Sequence, residues 1–561
     1  MKKTGARIFV ETLLEQGVDT IFGYPGGVLL PIYDELYSAK IRHILSRHEQ
    51  GAIHAADGYA RATGKTGVVI ATSGPGATNL VTGLATAAMD SIPLVAFTGQ
   101  VPTHMLGNDS FQEADIYGIS IPVTKYNYLV KETSRLKQVM YEAFHLAKTG
   151  RPGPVLIDLP KDIQTNEIAN PPIPELTLPE KTLYPYPFRD REKQMERIIT
   201  LIQKAQRPVI YAGGGIITAG AHEALRMLAE KASIPVTTTL MGKGGFPDAH
   251  PLSLGMLGMH GTRYANYAVS ESDLLLAVGA RFDDRVTGKI SAFASKAKII
   301  HIDIDPAEVG KIVNVDASLL GDAREVLTEL HDRVKEQSPS GWLEQVNRWK
   351  RDYPLSYRKR EGIICPQYVV EQIYELTGGK AIITTEVGQN QMWAAQYYKC
   401  TEPRTFISSG GLGTMGYGFP AAIGAKIGCP ERIVFDIAGD GSFQMNIQEL
   451  ATAVHNKVNV KVAILNNGYL GMVRQWQELF YGKRYSQTPL NGNPDFVKIA
   501  EGYGAAGIRV EKPSEVPSAV QKAIELDRPV IIDFHVDQEE NVYPMVPPGG
   551  AINEMMDRED T

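Results

Sequence analysis

Short apolar runs alternate along this chain with helix-sized segments whose apolar residues recur every three to four positions. The clearest case is RIVFDIA (432–438), then NIQELATAVH (446–455), then VKVAILN (460–466). That order predicts a parallel strand–helix–strand unit, whose right-handed crossover sets both strand ends side by side at one edge of the sheet. The same grammar occurs earlier: GVVIAT (67–72), a glycine-rich turn at 73–76, a helix over 77–89, then IPLVAFTG (92–99). Between these two units, α/β patterning runs from PVIYAGGG (208–215) to about Leu330. The first residues, MKKTGARIFVETLLEQGV, begin as an amphipathic helix.

The pattern predicts an α/β protein of three Rossmann-like parallel-sheet domains, at 1–165, 191–335 and 366–540. The echo between the units near Gly74 and Asp440 suggests that the first and third share a fold. A Pro-rich segment (170–188) cannot sustain helix or central strand, so 166–190 reads as a linker. A polar, aromatic-spiked stretch at 336–365 reads as a second linker. The tail, 541–561, has too much Pro and Gly near its start for regular structure. Its Tyr543, Met545 and Val546 nevertheless predict docking over a site.

Composition narrows the class. The 561 residues, 43% hydrophobic and 21% charged, are those of an ordinary globular protein, long enough for several domains. A net charge of −6 argues against nucleic acid or an anionic membrane as partner. No apolar run approaches the roughly 18 residues of a membrane span, and the N-terminus lacks a signal-peptide core. The three cysteines, Cys365, Cys400 and Cys429, have no metal-ligand spacing and suit buried fillers in a reducing cytoplasm.

Candidate chemistry sits where the two last-domain strands end, at Gly439-Asp440-Gly441 and Asn466-Asn467. Asp440 and Asn467 are predicted to face one point, and their oxygens suit a hard cation such as Mg²⁺. The backbone N–H groups of Gly441 and Ser442 suit a phosphate. Spacing and residue types resemble the diphosphate motif of thiamine-diphosphate enzymes. Glu49, in Arg47-His48-Glu49 before a helical pattern, reads on its own as a carboxylate favoured at a helix N-terminus. Beside such a cofactor it takes on another role, because a carboxyl group must then sit at the pyrimidine N1′. A Glu in apolar surroundings can share that proton.

The resemblance extends over nearly the whole chain. FGYPGG (22–27), RHEQGAIHAADGYAR (47–61), TSGPGATN (72–79), SFQEADI (110–116), TTLMGKG (238–244), GARFDDRVTG (279–288), EVGQNQMW (386–393), SSGGLGTMGYG (408–418) and NNGYLGMVRQWQE (466–478) occur in order. They are similar to the catalytic large subunits of the acetohydroxyacid (acetolactate) synthase family, in its FAD-containing biosynthetic form. The first and third domains would then have the thiamine-diphosphate-binding fold, and the middle one would bind FAD.

Residue roles follow from that resemblance. Glu49 would be the N1′ carboxylate, with Gly26, Gln112 and Lys161 near the reacting centre and Phe111 lining the substrate approach. Gly388, Gln389, Gly413, Thr414 and Met415 would hold the pyrimidine half, Met415 as an apolar wedge that bends the cofactor. Asp440, Gly441 and Ser442 would hold the diphosphate. Asp440, Asn467 and the Tyr469 carbonyl would ligate Mg²⁺, with Met472 nearby. Met472 and Trp476, one helical turn apart, would shape the acceptor pocket, and Arg285 would pair with a substrate carboxylate.

For the middle domain, residues 213–215 after an apolar strand lack the full dinucleotide spacing, and HIDID (301–305) puts acids at a strand end. Alone, both fit ordinary strand-end chemistry equally well. The resemblance implies FAD contacts at Arg151, Gly214, Thr239 and Leu240, and at Leu257, Gly258, Met259 and His260. It adds Gly279, Ala280, Arg281, Phe282 and Asp283, then Asp303, Ile304 and Asp322.

The implied activity is decarboxylation of pyruvate on thiamine diphosphate and ligation of the two-carbon unit to a second 2-ketoacid. Pyruvate as acceptor gives 2-acetolactate and 2-ketobutyrate gives 2-aceto-2-hydroxybutyrate, both precursors of branched-chain amino acids. A homodimer or homotetramer with active sites at the subunit interface, and a small regulatory subunit, are implied partners. A flavin-reducing pyruvate oxidase and a non-catalytic regulatory homologue are the rival readings. Trp476, Arg285 and the GARFDDR run weigh against the first, and Glu49, Asp440 and Asn467 against the second.

Overall fold

The computed structural model describes residues 2–169, 171–174, 190–338 and 341–558. In chain order the first domain contains β1 (Lys2–Thr4), β2 (Thr20–Tyr24), β3 (Arg42–Leu45), β4 (Gly67–Ala71), β5 (Leu94–Gln100), β6 (Tyr126–Leu129), β7 (Pro154–Pro160) and β8 (Glu167–Ala169). The middle domain contains β9 (Pro208–Ala212), β10 (Val236–Thr238), β11 (Ser253–Met256), β12 (Leu274–Val278), β13 (Lys298–Asp303) and β14 (Ala317–Leu320). The third contains β15 (Ile382–Thr385), β16 (Phe406–Ser408), β17 (Val434–Gly439), β18 (Lys461–Asn466), β19 (Ala506–Val510) and β20 (Val530–His535).

Each domain is built on a six-stranded parallel sheet, as the alternating pattern predicts; β1 and β8 lie outside the first one as an antiparallel pair. Helices cover both faces, so strands such as Gly67–Ala71 and Pro208–Ala212 are buried at every position. The first sheet runs β3-β2-β4-β5-β7-β6 and the third β16-β15-β17-β18-β20-β19. Numbered within each six-stranded sheet, both orders read 2-1-3-4-6-5, so the first and third domains share one topology. The middle sheet runs β11-β10-β9-β12-β13-β14, which reads 3-2-1-4-5-6, the order of dinucleotide-binding sheets. In all three the direction of winding reverses beside the first strand, opening a crevice at the carboxyl edge.

Small residues let the first and third domains meet closely within the chain. The helix Glu49–Thr63 lies on the helix Gly418–Gly428, and a Cβ on Gly58 would stand 2.2 Å from the Ala421 carbonyl oxygen. Only glycine permits that approach.

Three expectations change. The stretch read as a linker at 336–365 carries a helix, Gly341–Asp352, whose Trp342 and Val346 are buried. Trp342 Nε1 donates to the Pro208 carbonyl at 3.1 Å and its ring meets Trp349 edge-on, so the aromatic spikes form one face packed on the middle domain. In the first linker, β8 pairs antiparallel with β1; most of the Pro-rich segment lies outside the described residues. The tail docks, but as a strap between domains. Val542 meets Gln475, Val546 N donates to the Met259 carbonyl at 2.8 Å, and Met545 pairs with Met556. The tail's described residues line neither of the cavities below, because its apolar side chains face the middle domain and the inner side of the helix Gly471–Phe480. Cys365 and Cys400 are buried fillers, while Cys429 is half-buried. Among the described residues no helix is long and apolar enough to cross a membrane.

Candidate active site

Every sequence-predicted site residue of the third domain except Thr414 lines one of two connected cavities at the carboxyl edge of its sheet. The smaller cleft lies at the crevice between β15 and β17. Gly388 and Gln389, after β15, face Asp440, Gly441 and Ser442, after β17, with Asn467 and Tyr469 after β18. Asp440 and Asn467 are thus brought to one cleft. Asp440 is buried, and its Oδ2 accepts from Asn493 Nδ2 at 2.5 Å while Oδ1 has no protein partner. Burial raises the Asp440 carboxyl to about 6, against the help of Asn493. A buried carboxylate oxygen without a donor, beside the Asn467 amide and Tyr469, fits a divalent cation. Asn467 is fixed in the cleft: its Oδ1 accepts from Tyr469 N at 3.1 Å and its Nδ2 donates to Gln389 Oε1 at 3.2 Å.

The larger cavity, of about 1510 Å³, shares Gly388, Met415 and Met472 with the cleft. One side is built from the third domain: Gly413 and Met415 on the loop after β16, Met472 and Trp476 on the helix Gly471–Phe480. The other side is the carboxyl edge of the middle sheet. Gly214 follows β9, Thr239 and Leu240 follow β10, and Leu257, Met259 and His260 follow β11. Gly279, Ala280, Arg281, Asp283 and Arg285 follow β12, Ile304 follows β13 and Asp322 follows β14, with Asp303 ending β13. Arg151 arrives from the first domain, tied to Glu308 at 2.7 Å and Ser91 at 2.8 Å.

This floor fits a flavin nucleotide. A Cβ on Gly213 would meet the Gly279 carbonyl at 2.1 Å, so the two strand ends cross with backbone alone and leave the crevice open above them. Tyr211 Oη and His260 Nδ1, both on cavity-lining residues, are buried without protein partners. Burial lowers the His260 imidazole to about 4, so it meets a ligand neutral. Two implied contacts lie elsewhere. Phe282 packs in the core against Tyr211 and His301, and Gly258 donates its N–H to Asn266 at 2.8 Å; neither lines the cavity. Thr414 also turns away, with its hydroxyl 2.7 Å from that of Thr86.

The first-domain candidates gather at their own sheet's carboxyl edge. Gly26 follows β2, Glu49 follows β3, Phe111 and Gln112 follow β5, and Lys161 follows β7. The loop after β4 joins three of them. A Cβ on Gly26 would lie 2.2 Å from Thr72 Oγ1, one on Gly76 would lie 3.2 Å from Glu49 Oε1, and one on Gly74 would lie 2.9 Å from the Gln112 carbonyl oxygen. Glu49 is half-buried and accepts from Asn79 Nδ2 at 2.9 Å. Phe111 is 88% exposed. None of the five lines either cavity of the same chain.

Sequence reasoning passed over several residues that hold this machinery. Asn493 steadies Asp440 and Asn79 steadies Glu49. Gln475, fully buried, accepts from Gln389 Nε2 at 2.9 Å and from Val542 N at 2.8 Å, fixing the helix of Trp476 to cleft and strap together. Glu449 accepts from Arg47 N and His48 N, at the start of the Glu49 helix. A glutamine between two pocket residues was a visible signal; Asn493 had none.

Comparison with known proteins places the chain by its domains and its overall sequence. Residues 3–119 match the thiamine pyrophosphate enzyme N-terminal TPP-binding domain, 195–330 the central domain and 386–534 the C-terminal TPP-binding domain. The chain is 52% identical to the acetolactate synthase large subunit of Corynebacterium glutamicum, over 98% of this chain and 89% of that one. It is 51% identical to the acetolactate synthase large subunit of Parasynechococcus marenigrum, over 99% and 91%. To a probable acetolactate synthase large subunit of Methanococcus aeolicus it is 49% identical, over 99% and 95%. Three domains in the expected order, each with its crevice, and half-identical relatives along the full length place the chain in the acetolactate synthase large-subunit family of thiamine pyrophosphate enzymes.

Proposed function

We propose that the chain is a thiamine-diphosphate-dependent carboligase, an acetohydroxyacid synthase of branched-chain amino-acid biosynthesis. It joins two pyruvates with loss of CO₂ and uptake of one proton, giving 2-acetolactate, or takes 2-ketobutyrate as acceptor and gives 2-aceto-2-hydroxybutyrate. One observation carries this reading: the metal-type cleft at Asp440 and Asn467 opens at Gly388, Met415 and Met472 into the cavity that holds Trp476 and Arg285. A bound thiamine diphosphate supplies the nucleophilic carbon and the electron sink for decarboxylation. The protein supplies the rest.

Asp440, Asn467 and the Tyr469 carbonyl hold Mg²⁺, while Gly441 and Ser442 present backbone amides to the diphosphate. Gly388, Gln389, Gly413 and Met415 seat the pyrimidine, and Glu49 holds a proton at N1′. Met415 and Met472, which line both cleft and cavity, keep water from the reacting carbon. Trp476 sizes the acceptor pocket, and the Arg285 fork takes the acceptor carboxylate. Gly26, Phe111, Gln112 and Lys161 approach from the first domain. The crevice of the middle sheet, whose strand order and unpartnered Tyr211 and His260 suit a flavin nucleotide, would hold FAD in a structural role.

Glu49 lines neither the cleft nor the large cavity of its own chain, and this supports a homodimer, or a pair of dimers, in which the first domain of one subunit completes the cleft of the other. A small regulatory subunit is the expected further partner, in the cytoplasm. The test of function is product formation from pyruvate with Mg²⁺, thiamine diphosphate and FAD, read as acetoin after acidification; no acetoin from folded, cofactor-loaded protein rejects the reading. The test of the dimer mixes Glu49→Gln and Asp440→Asn subunits. If Glu49 acts across the interface, the mixed dimer regains one intact site and activity returns; if it acts within the chain, both sites stay defective.

A further inference from the structure

The loop from Ser408 to Tyr417, which carries Gly413 and Met415, belongs to the third domain, yet much of what grips it comes from the first domain of the same chain. Asp90 ends the helix Val81–Asp90. Its Oδ1 accepts from Gly411 N at 2.7 Å and its Oδ2 from Gly410 N at 3.2 Å. Arg61, in the last turn of the Glu49 helix, brings Nη2 to the same Asp90 Oδ2 at 2.9 Å. Its Nη1 donates to the Ser408 carbonyl at 3.0 Å, and its Nε to Asp57 Oδ1 at 2.6 Å. Tyr417 Oη donates to that Asp57 oxygen, closing the far end of the loop.

This pairing is buried: side-chain exposure is 0% for Asp90, 7% for Arg61 and 1% for Asp57. Two observations mark it as more than a seam between domains. A carboxylate at a helix C-terminus opposes the helix dipole, so Asp90 stands where local preference disfavours it. Moreover, Asp90 and the loop residues it holds, Gly410 and Gly411, line the large cavity beside Arg281 and Met415. Inside the third domain, Glu386 takes Gly416 N at 2.7 Å and Phe419 N at 3.1 Å. The loop is therefore pinned from two directions, with Met415 just outside the Glu386 grip.

We infer that Asp90 and Arg61 are positioning residues for the cofactor cleft: their ion pair, reaching across from the first domain, fixes the loop that places Gly413 and Met415. The inference rests on the reading that this loop seats the pyrimidine. Breaking the pair frees two backbone N–H groups and a carbonyl, and Met415 loses its fixed height. A subunit then sets its own loop with the Arg61 end of the Glu49 helix.

The experiment uses full-length protein with its flavin. Hydrogen–deuterium exchange of residues 408–417 is followed without thiamine diphosphate, and Mg²⁺-dependent thiamine diphosphate binding is measured by equilibrium dialysis. In Asp90→Ala, loop exchange is expected to accelerate and the dissociation constant to rise, each at least about tenfold, the scale of a lost charge-assisted buried hydrogen bond. Asp248→Asn is the control. It cuts another buried pair, Lys243–Asp248 at 2.8 Å, whose carboxylate holds Cys400 N rather than a loop amide, and should move neither readout. If Asp90→Ala does not fold, Arg61→Lys replaces it. Lysine keeps the charge but cannot reach Asp57, Asp90 and Ser408 together, and at least a threefold change is expected on the same reasoning. Loop exchange and affinity within twofold of the parent overturn the inference, as does an equal effect of Asp248→Asn. Failure of the parent protein to bind thiamine diphosphate rejects the functional reading instead, a different outcome from an unmoved Asp90→Ala.

Discussion

Glu49 and Arg61 stand at opposite ends of one fifteen-residue helix, about 18 Å apart at 1.5 Å per residue. The first faces the loop after β4; the second grips a loop of the third domain. Between them the helix is packed closely on Gly418–Gly428, so one element joins the two contacts. Glu49→Gln keeps the shape and the contact with Asn79 but cannot share a proton. Turnover and hydrogen exchange at the thiazolium C2 should fall by roughly 10²- to 10⁴-fold, with thiamine diphosphate binding retained. Exchange at the parent rate would remove Glu49 from the N1′ position.

Three parallel domains and both strand-end motifs were legible in the chain because buried parallel strands are short apolar runs and their functional loops are glycine-rich. Asp440 and Asn467 needed only the handedness of one crossover to be brought together. The helix at 341–352 was not legible, since Trp342, Val346 and Trp349 sit among charged residues that read as solvated linker. Nor were Asp90 or Asn493, whose partners lie far off in sequence, while Gln475 was marked only by its place between Met472 and Trp476. The strand order of the middle sheet, which argues best for a nucleotide there, depends on pairings that no local pattern encodes.

Trp476 and Gln475 are neighbours with opposite duties. Trp476 lines the cavity with its ring 5.6 Å from that of Phe480, while Gln475 is sealed behind it. Trp476→Leu should shift the ratio of 2-aceto-2-hydroxybutyrate to 2-acetolactate downward by roughly tenfold, the scale of a reshaped apolar pocket, with acetolactate formation largely kept. Competition between pyruvate and 2-ketobutyrate reads this directly. An unchanged ratio takes Trp476 out of the acceptor pocket.

Gln475→Ala should do the reverse. Val542 loses partners at both its N–H and its carbonyl, and Gln389 loses one of two acceptors. Each buried group left unmet costs about 1–3 kcal/mol, so the thermal midpoint should drop and the strap after Glu540 should become cleavable by protease. Product ratio should change little. A protein as stable as the parent, with an uncut tail, would show that the strap does not depend on this side chain.

Glu449 gives the molecule a pH-dependent joint between its first and third domains. Its carboxyl accepts from His48 N at 2.9 Å, from Arg47 N at 3.0 Å and from Thr452 Oγ1 at 2.6 Å. Burial nevertheless raises it from 4.5 to about 7, with these donors and the Arg47 charge pulling the other way. The folded state thus binds the proton more tightly than the unfolded chain. The stabilisation that protonation provides is complete below pH 4.5 and is lost as pH rises through about 7, an effect of order 1–3 kcal/mol. Glu449→Gln carries no such proton. The thermal midpoint of the parent minus that of Glu449→Gln should therefore be largest near pH 5 and shrink toward pH 8. A difference that stays flat across that range would mean that Glu449 keeps one charge state throughout, and that its grip on the Glu49 helix is insensitive to acid.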